Sequence, residues 1–172
     1  LKLKGEAPMI IRRDEGYIGT LIDDLVTKGT NEPYRVMTSR SEYRLLHRQD
    51  NADIRLSHIG RRIGLVSDAS HQKVLEKYEA VEREIKRLES TFLPPSPELI
   101  SMLQERGTAA PSSGVSLASL LRRPQLDYSS LSPFDKSRPE LPAAVREQAE
   151  ISIKYDGYIK RQTQQIEDLK RM

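Results

Sequence analysis

The chain has 172 residues, 37% hydrophobic and 31% charged, with a formal net charge of +3 at pH 7. This is the length of one domain, or of one domain with an attached piece. It has no cysteine, which excludes disulfides, thiolate zinc sites and a cysteine nucleophile, and with no signal peptide or membrane-length apolar run a cytoplasmic protein is expected.

Residues 1–16 read as an extended lead-in, with Leu3, Met9, Ile10 and Ile11 apolar and Gly5 and Pro8 breaking any helix. The spacing of Ile18, Leu21, Ile22 and Leu25 predicts a first helix over Tyr17 to Thr27 with one apolar face, ended by Gly29. Asn31-Glu32-Pro33 forces extended chain before Tyr34. Ser39 to Glu42 has the form of a capping box, so a short helix is expected from Arg40 to about Arg48. Asp50 to Asp53 is turn-like, and Ser57 can cap a second short helix ending at Gly64.

A long helix is expected from Ser67 or Asp68 to about Ser90, with Val74, Tyr78, Val81, Ile85, Leu88 and Phe92 as its seam. Ser96, with Pro97 at the first position, caps another helix that ends near Gly107. Residues 107–116 read as a mobile loop, and Leu117 to Arg123 as a short helix stopped by Pro124. A last long helix runs from Pro142 to the end, its inner face marked by Ile151, Tyr155, Ile159, Ile166 and Leu169 and interrupted by Gln162. Gly157 within it points to a close helix contact. The expected fold is mainly α: two long amphipathic helices packed as an antiparallel pair, several short helices, and a small β pairing or extended segment near the N-terminus. The chain starts without methionine and stops in a predicted helix, so a fragment of a longer protein is expected.

From Arg35 to Arg62 there are seven arginines and no lysine, opposed by Glu42, Asp50 and Asp53, a local excess of +4. Guanidinium offers a planar fork suited to phosphate or carboxylate. If Arg40, Arg44 and Arg48 share a helix they lie one turn apart, about 6 Å between successive positions, and can follow an RNA backbone. The other reading is a set of ion pairs inside one domain. Tyr34 and Tyr43 flank arginines and could stack on an unpaired base, although a half-buried core role is favoured for Tyr43. Asp23 and Asp24 point about 100° apart on a helix and make a poor acid/base pair, so ion pairing or capping is expected of them. Lys28-Gly29 lacks the upstream glycine of a phosphate loop. His47, His58 and His71 have no ligand spacing.

The runs GYIGTLIDDLVTKGTNEPYR, TSRSEYRLLHRQDNADIRL and IGRRIGLV, with EISIKYDGYIKRQTQQIEDLKR near the other end, closely resemble the C-terminal region of the GidA (MnmG) family. The resemblance is looser from about Thr91 to Leu141. It implies a FAD-dependent parent enzyme, with NADH as reductant and a folate one-carbon donor, that builds a carboxymethylaminomethyl-type group on C5 of the tRNA wobble uridine. It implies tRNA and the GTPase MnmE as partners and a homodimeric full-length protein. It divides the chain into a lead-in, 1–35, joining an upstream FAD-binding domain, and a helical C-terminal domain, 36–172. No catalytic residue, FAD contact or metal ligand is expected in this segment, which alone is not expected to be catalytic. Carried onto matching positions, Arg35, Arg40 and Arg44 are the first choices for tRNA contact, with Arg48 and Lys28 behind them. Asp24 and Tyr17 are expected to help dock the segment against the flavin domain. The alternative is a protein-interaction or dimerisation module without RNA contact, marked by internally paired arginines and exposed apolar helix positions.

Overall fold

In the computed structural model, which describes residues 5–171 and side chains through Asp168, the chain is mainly α-helical. In order come α1 (Tyr17–Thr27), a 3-10 turn (Thr38–Arg40), α2 (Ala52–Arg62), α3 (Asp68–Ser90), β1 (Phe92–Leu93), α4 (Pro97–Glu105), β2 (Val115–Ser116), α5 (Leu117–Leu121) and α6 (Ala143–Arg171). Leu3 and the Leu169 side chain, expected as apolar positions, lie outside the described residues. Two compact units emerge, Leu1–Leu75 with Tyr158–Met172, and Glu76–Gly157, with both boundaries inside α3 and α6.

The second unit is built around leucine. Leu88 from α3, Leu93 from β1, Leu99 and Leu103 from α4, Leu117, Leu120 and Leu121 from α5, and Ile153 from α6 form one buried cluster. Each buried leucine or isoleucine contributes roughly 1.5–3 kcal/mol relative to exposure. A smaller cluster joins Val81 of α3 to Val145 and Ala149 of α6, so the two long helices do meet in this unit. Local signals set the short elements. Ser96 Oγ accepts from the Leu99 N–H at 3.2 Å with Pro97 at the first position, as capping chemistry requires. Gly107 ends α4 at φ +67°, and the Thr108 N–H reaches back to the Leu103 carbonyl, a closure that favours glycine at the left-handed position.

Among the described residues the β pairing lies here and not near the N-terminus. Phe92 faces Ser116 and Leu93 faces Val115 in an antiparallel pair, which places the strand β2 at the end of the stretch read as a loop. Strand alternation sends Leu93 inward and leaves Phe92 64% exposed, so Phe92 does not continue the α3 seam. The α6 stripe also differs from expectation. Ile166 is buried as expected and Ile151 and Ile159 are half-buried, but Tyr155 is exposed and Val145, Ala149 and Ile153 are buried instead, and a methyl group at Gly157 would meet nothing within 4 Å.

Glu84 is buried on α3 and saturated. It accepts from the Tyr128 hydroxyl at 2.7 Å and from Arg87, whose guanidinium also forks onto Asp135. Burial first, and the bond to Glu84 second, push the Tyr128 hydroxyl up to about 12. Burial would raise Asp135, but the bonds from Arg87 and Ser137 outweigh it and hold the carboxyl below its ordinary range.

The first unit corrects two helix boundaries. Residues 40–48 do not form a helix: the 3-10 turn ends at Arg40, Ser41 is extended, and a run of turns follows. The capping box fails because Glu42 takes the fork of Arg13. Helix α2 starts at Ala52, so Ser57 is interior, buried and 3.0 Å from His71 Nδ1. Gln162 does not interrupt the packing of α6: its Oε1 accepts from the Leu45 N–H at 3.2 Å.

Candidate functional site

The arginine-rich segment is organised by a residue outside it. Arg13, in the lead-in, donates to Glu42 through both Nε and Nη2, to Asp23 at 3.0 Å, to Asp24 at 2.7 Å and to the Arg40 carbonyl at 3.4 Å. Asp24, only 3% exposed, also accepts from Tyr34 at 2.6 Å and from Lys28 at 3.0 Å. The bonds from Tyr34, then Lys28, then Arg13 hold its carboxyl well below the usual range against the opposing effect of burial. Asp24 is therefore a fixed anion and unsuited to proton transfer near neutral pH.

This network turns α1 over. Its buried residues are Gly19, Thr20 and Asp24, while Ile18, Ile22, Leu25 and Val26 are exposed. The apolar stripe read from the sequence is real, but it faces outward. Gly19 permits the inverted packing, because a Cβ there would lie 2.1 Å from the Arg12 carbonyl oxygen. Tyr17 also points inward, its ring edge-on to His47 with centroids 5.3 Å apart, and Tyr43 stacks on the other partner face at 5.8 Å. Tyr43 is buried, as expected of a core residue. Of the two residues expected to help docking, Asp24 is occupied within the segment and Tyr17 is half-buried against His47.

The five residues singled out for RNA contact separate by environment. Arg35 and Arg44 are exposed and have no ion pair or hydrogen bond among the described residues. Arg40 is exposed, with its guanidinium carbon 4.5 Å from the Tyr34 ring centroid. Lys28 is held at Asp24. Arg48 is the most committed: Nε and Nη2 clasp Asp50 and Nη1 donates to the Leu45 carbonyl. Elsewhere in the window Arg55 binds Asn51 and the Glu15 and Arg48 carbonyls, and Arg61 pairs with Asp68. The expected helical ladder of Arg40, Arg44 and Arg48 is absent because residues 40–48 are not a helix.

Sequence reasoning missed Arg13, and it counted Arg62 in the arginine cluster without singling it out. Nothing local marks Arg13, whose carboxylate partners lie 10, 11 and 29 residues away. Arg62 is exposed and without an ion pair or hydrogen bond among the described residues. Its signal was legible: of the adjacent pair Arg61-Arg62, the nearby Asp68 serves only one.

Comparison with known proteins places this geometry in context. The family model for the tRNA modifying enzyme MnmG/GidA C-terminal helical domain matches residues 68–163. The tRNA uridine 5-carboxymethylaminomethyl modification enzyme MnmG of Caldicellulosiruptor saccharolyticus is 54% identical over 170 residues, 99% of this chain and 27% of that protein. The enzyme of the same name from Clostridium kluyveri is 50% identical over 171 residues, again 27% of its length. The chain thus spans about a quarter of the curated relatives it matches. Aquifex aeolicus GidA, in its form II crystal, superposes with a TM-score of 0.80 at 37% identity, covering 99% of this chain and 26% of that one.

Proposed function

The chain belongs to the MnmG/GidA family of tRNA modifying enzymes, and from that premise we propose that its arginine-rich segment grips tRNA for C5 carboxymethylaminomethyl modification of the wobble uridine. The observation that carries this reading is the exposed, unpaired state of Arg35 and Arg44 beside the exposed Arg40. In a fold that pairs Arg13, Arg48, Arg61 and Arg87 with carboxylates, exposed guanidinium groups without such partners are available to phosphate. Lys28 and Arg48 stand behind them as RNA contacts, since both already have carboxylate partners. The whole enzyme uses FAD and NADH in this reading, and its redox chemistry lies outside this segment. The glycines here do not fit a dinucleotide cradle: Gly29, Gly64 and Gly107 follow helix ends in open space, and Gly19 lies against the Arg12 backbone. In the same reading, residues 1–35 join the flavin domain in a homodimeric parent protein, and the helical region contributes to docking of the GTPase MnmE.

The test is tRNA binding across a salt series with Arg35→Ala, Arg40→Ala and Arg44→Ala. The expected result is affinity that falls with salt, with Arg35→Ala and Arg44→Ala each flattening the logarithmic slope by about 0.7–0.9. Absence of tRNA affinity even at low salt sinks the reading.

A second reading, a protein-docking module, has its own support. Ile22 is 51% and Val26 75% exposed on α1. A groove of about 730 Å³ in the second unit is lined by Phe92, Leu93, Pro94, Leu99, Pro133 and Phe134 among others. Salt-insensitive self-association or partner binding, lost on Ile22→Glu or Phe92→Glu, would favour it.

A further inference from the structure

We propose that Tyr34 and Arg40 form a preset platform on which one unpaired base of an RNA loop stacks, with Asp24 and Arg13 as positioning residues that hold its two halves. The inference rests on the tRNA-holding reading and names the part of the RNA that meets this site.

The Arg40 guanidinium carbon lies 4.5 Å from the centroid of the Tyr34 ring, within cation–π range. Both halves are tethered to one hub. The Tyr34 hydroxyl donates to Asp24 at 2.6 Å. Arg13 donates to the same carboxylate at 2.7 Å and to the backbone carbonyl of Arg40 at 3.4 Å. The ring is fixed by its hydroxyl and the Arg40 main chain by Arg13, which places the guanidinium over the ring before a ligand arrives. Preorganisation of this kind lowers the ordering cost of binding.

A second arginine–tyrosine stack shows what distinguishes this one. Arg138 lies 4.3 Å from the Tyr128 ring centroid, but Tyr128 is buried and Arg138 also donates to the Tyr128 carbonyl. That pair serves the fold. Tyr34 is half-buried and Arg40 exposed, and no carboxylate pairs with Arg40 among the described residues. A guanidinium with one face on a ring offers its other face to a second planar group, and an unpaired base is such a group. Val36 and Met37 are exposed beside it, apolar surface of the kind a base or ribose covers. Arg35 adjoins Tyr34 in the chain and Arg44 lies four residues beyond Arg40, cations suited to the flanking phosphates. A duplex presents its bases already stacked, so the chemistry selects a loop.

The test uses this 172-residue chain with an anticodon stem-loop RNA, the same stem as a plain duplex, and stem-loops carrying one abasic site at each loop position in turn. Arg40→Lys keeps the charge and removes the planar group. Tyr34→Phe keeps the ring and removes the tether. Stacking predicts that Arg40→Lys weakens stem-loop binding about 5- to 20-fold with an unchanged salt slope and unchanged duplex binding. Tyr34→Phe shifts binding the same way by a smaller factor. One abasic position weakens the parent chain by a similar factor and leaves Arg40→Lys unaffected. If Arg40→Lys binds the stem-loop as the parent does, while Arg40→Ala flattens the salt slope, Arg40 is a phosphate contact and the platform is wrong though the tRNA reading stands. If neither RNA binds at low salt, the tRNA reading fails and the platform fails with it.

Discussion

Asp24 has three donors converging on a nearly inaccessible carboxylate, so its neutralisation should cost more than the loss of a surface ion pair. Removing one partner from a buried network typically costs about 3 kcal/mol. Asp24→Asn is expected to lower stability by that order at pH 7. The folded-state pKa is depressed, so the stabilisation is present above the ordinary aspartate value near 4 and is lost as pH falls through the lower folded value. Urea denaturation of both chains from pH 7 to pH 2.5 should therefore show curves that converge in acid. A constant gap would mean that charge is not what Asp24 contributes. His47 has the complementary behaviour near neutrality. It is buried between Tyr17 and Tyr43, with Nδ1 3.4 Å from Ser41 Oγ. Burial pushes its pKa down, Arg55 adds to this, and Asp14 and Glu42 oppose it. The unfolded chain then takes up a proton first, and stability should fall as pH drops below about 6.5. Replacing His47 with Gln should flatten the profile between pH 7.5 and 5.5, measured by denaturation midpoints. Ion pairing of Asp24 was expected from the sequence, but its bonds to Arg13 and Tyr34 and the packing of His47 on Tyr17 were not, because those partners lie 10 or more residues away. His47 read only as a histidine without a ligand pattern.

At the scale of elements, two serine caps make an instructive pair. Ser96 caps α4 as its sequence proposes, and Ser96→Ala should cost about 1 kcal/mol, read by thermal melting. Ser39, with Glu42 three residues on, has the fuller capping box and forms no helix beyond the short 3-10 turn. Local chemistry prevailed where no tertiary partner competed, and lost where Arg13 claimed the glutamate. Two helical glycines also behave oppositely, although sequence marked only Gly157 for a close contact. Gly19→Ala must displace the Arg12 backbone and is expected to cost about 1–3 kcal/mol. Gly157→Ala meets open space and should stabilise the helix by about 1 kcal/mol. Melting both variants checks the assignment, and equal effects would contradict it.

For the whole molecule, the net charge of +3 understates what an RNA would meet. Arg13, Arg48, Arg61 and Arg87 pair with carboxylates, whereas Arg35, Arg44 and Arg62 are among the exposed arginines without ion pairs among the described residues. If all three reach phosphates, the salt dependence of tRNA binding should have a logarithmic slope between about −2 and −3. The triple alanine variant should flatten that slope by about 2 to 3 while leaving the melting temperature unchanged. A lowered melting temperature would show that these arginines support the fold instead. No helix among the described residues is long and apolar enough to cross a membrane.

Sequence alone determined the helices that carry their own punctuation: α1 before Gly29, α3 from Asp68, and α4 between Ser96 and Gly107. It also determined the family, through long ordered runs. In each case the information lies within a few residues, where propensity, capping and periodicity act. The tertiary structure decided which face of each element is buried, and where a turn replaced a helix. Helix α1 shows why. Its apolar stripe was correctly read, but Arg13 binds Asp23 and Asp24 and the Gly19 face lies against Arg12, so the polar face packs inward. A buried charge network and a close backbone approach fix the polar face inward, and neither is visible from periodicity.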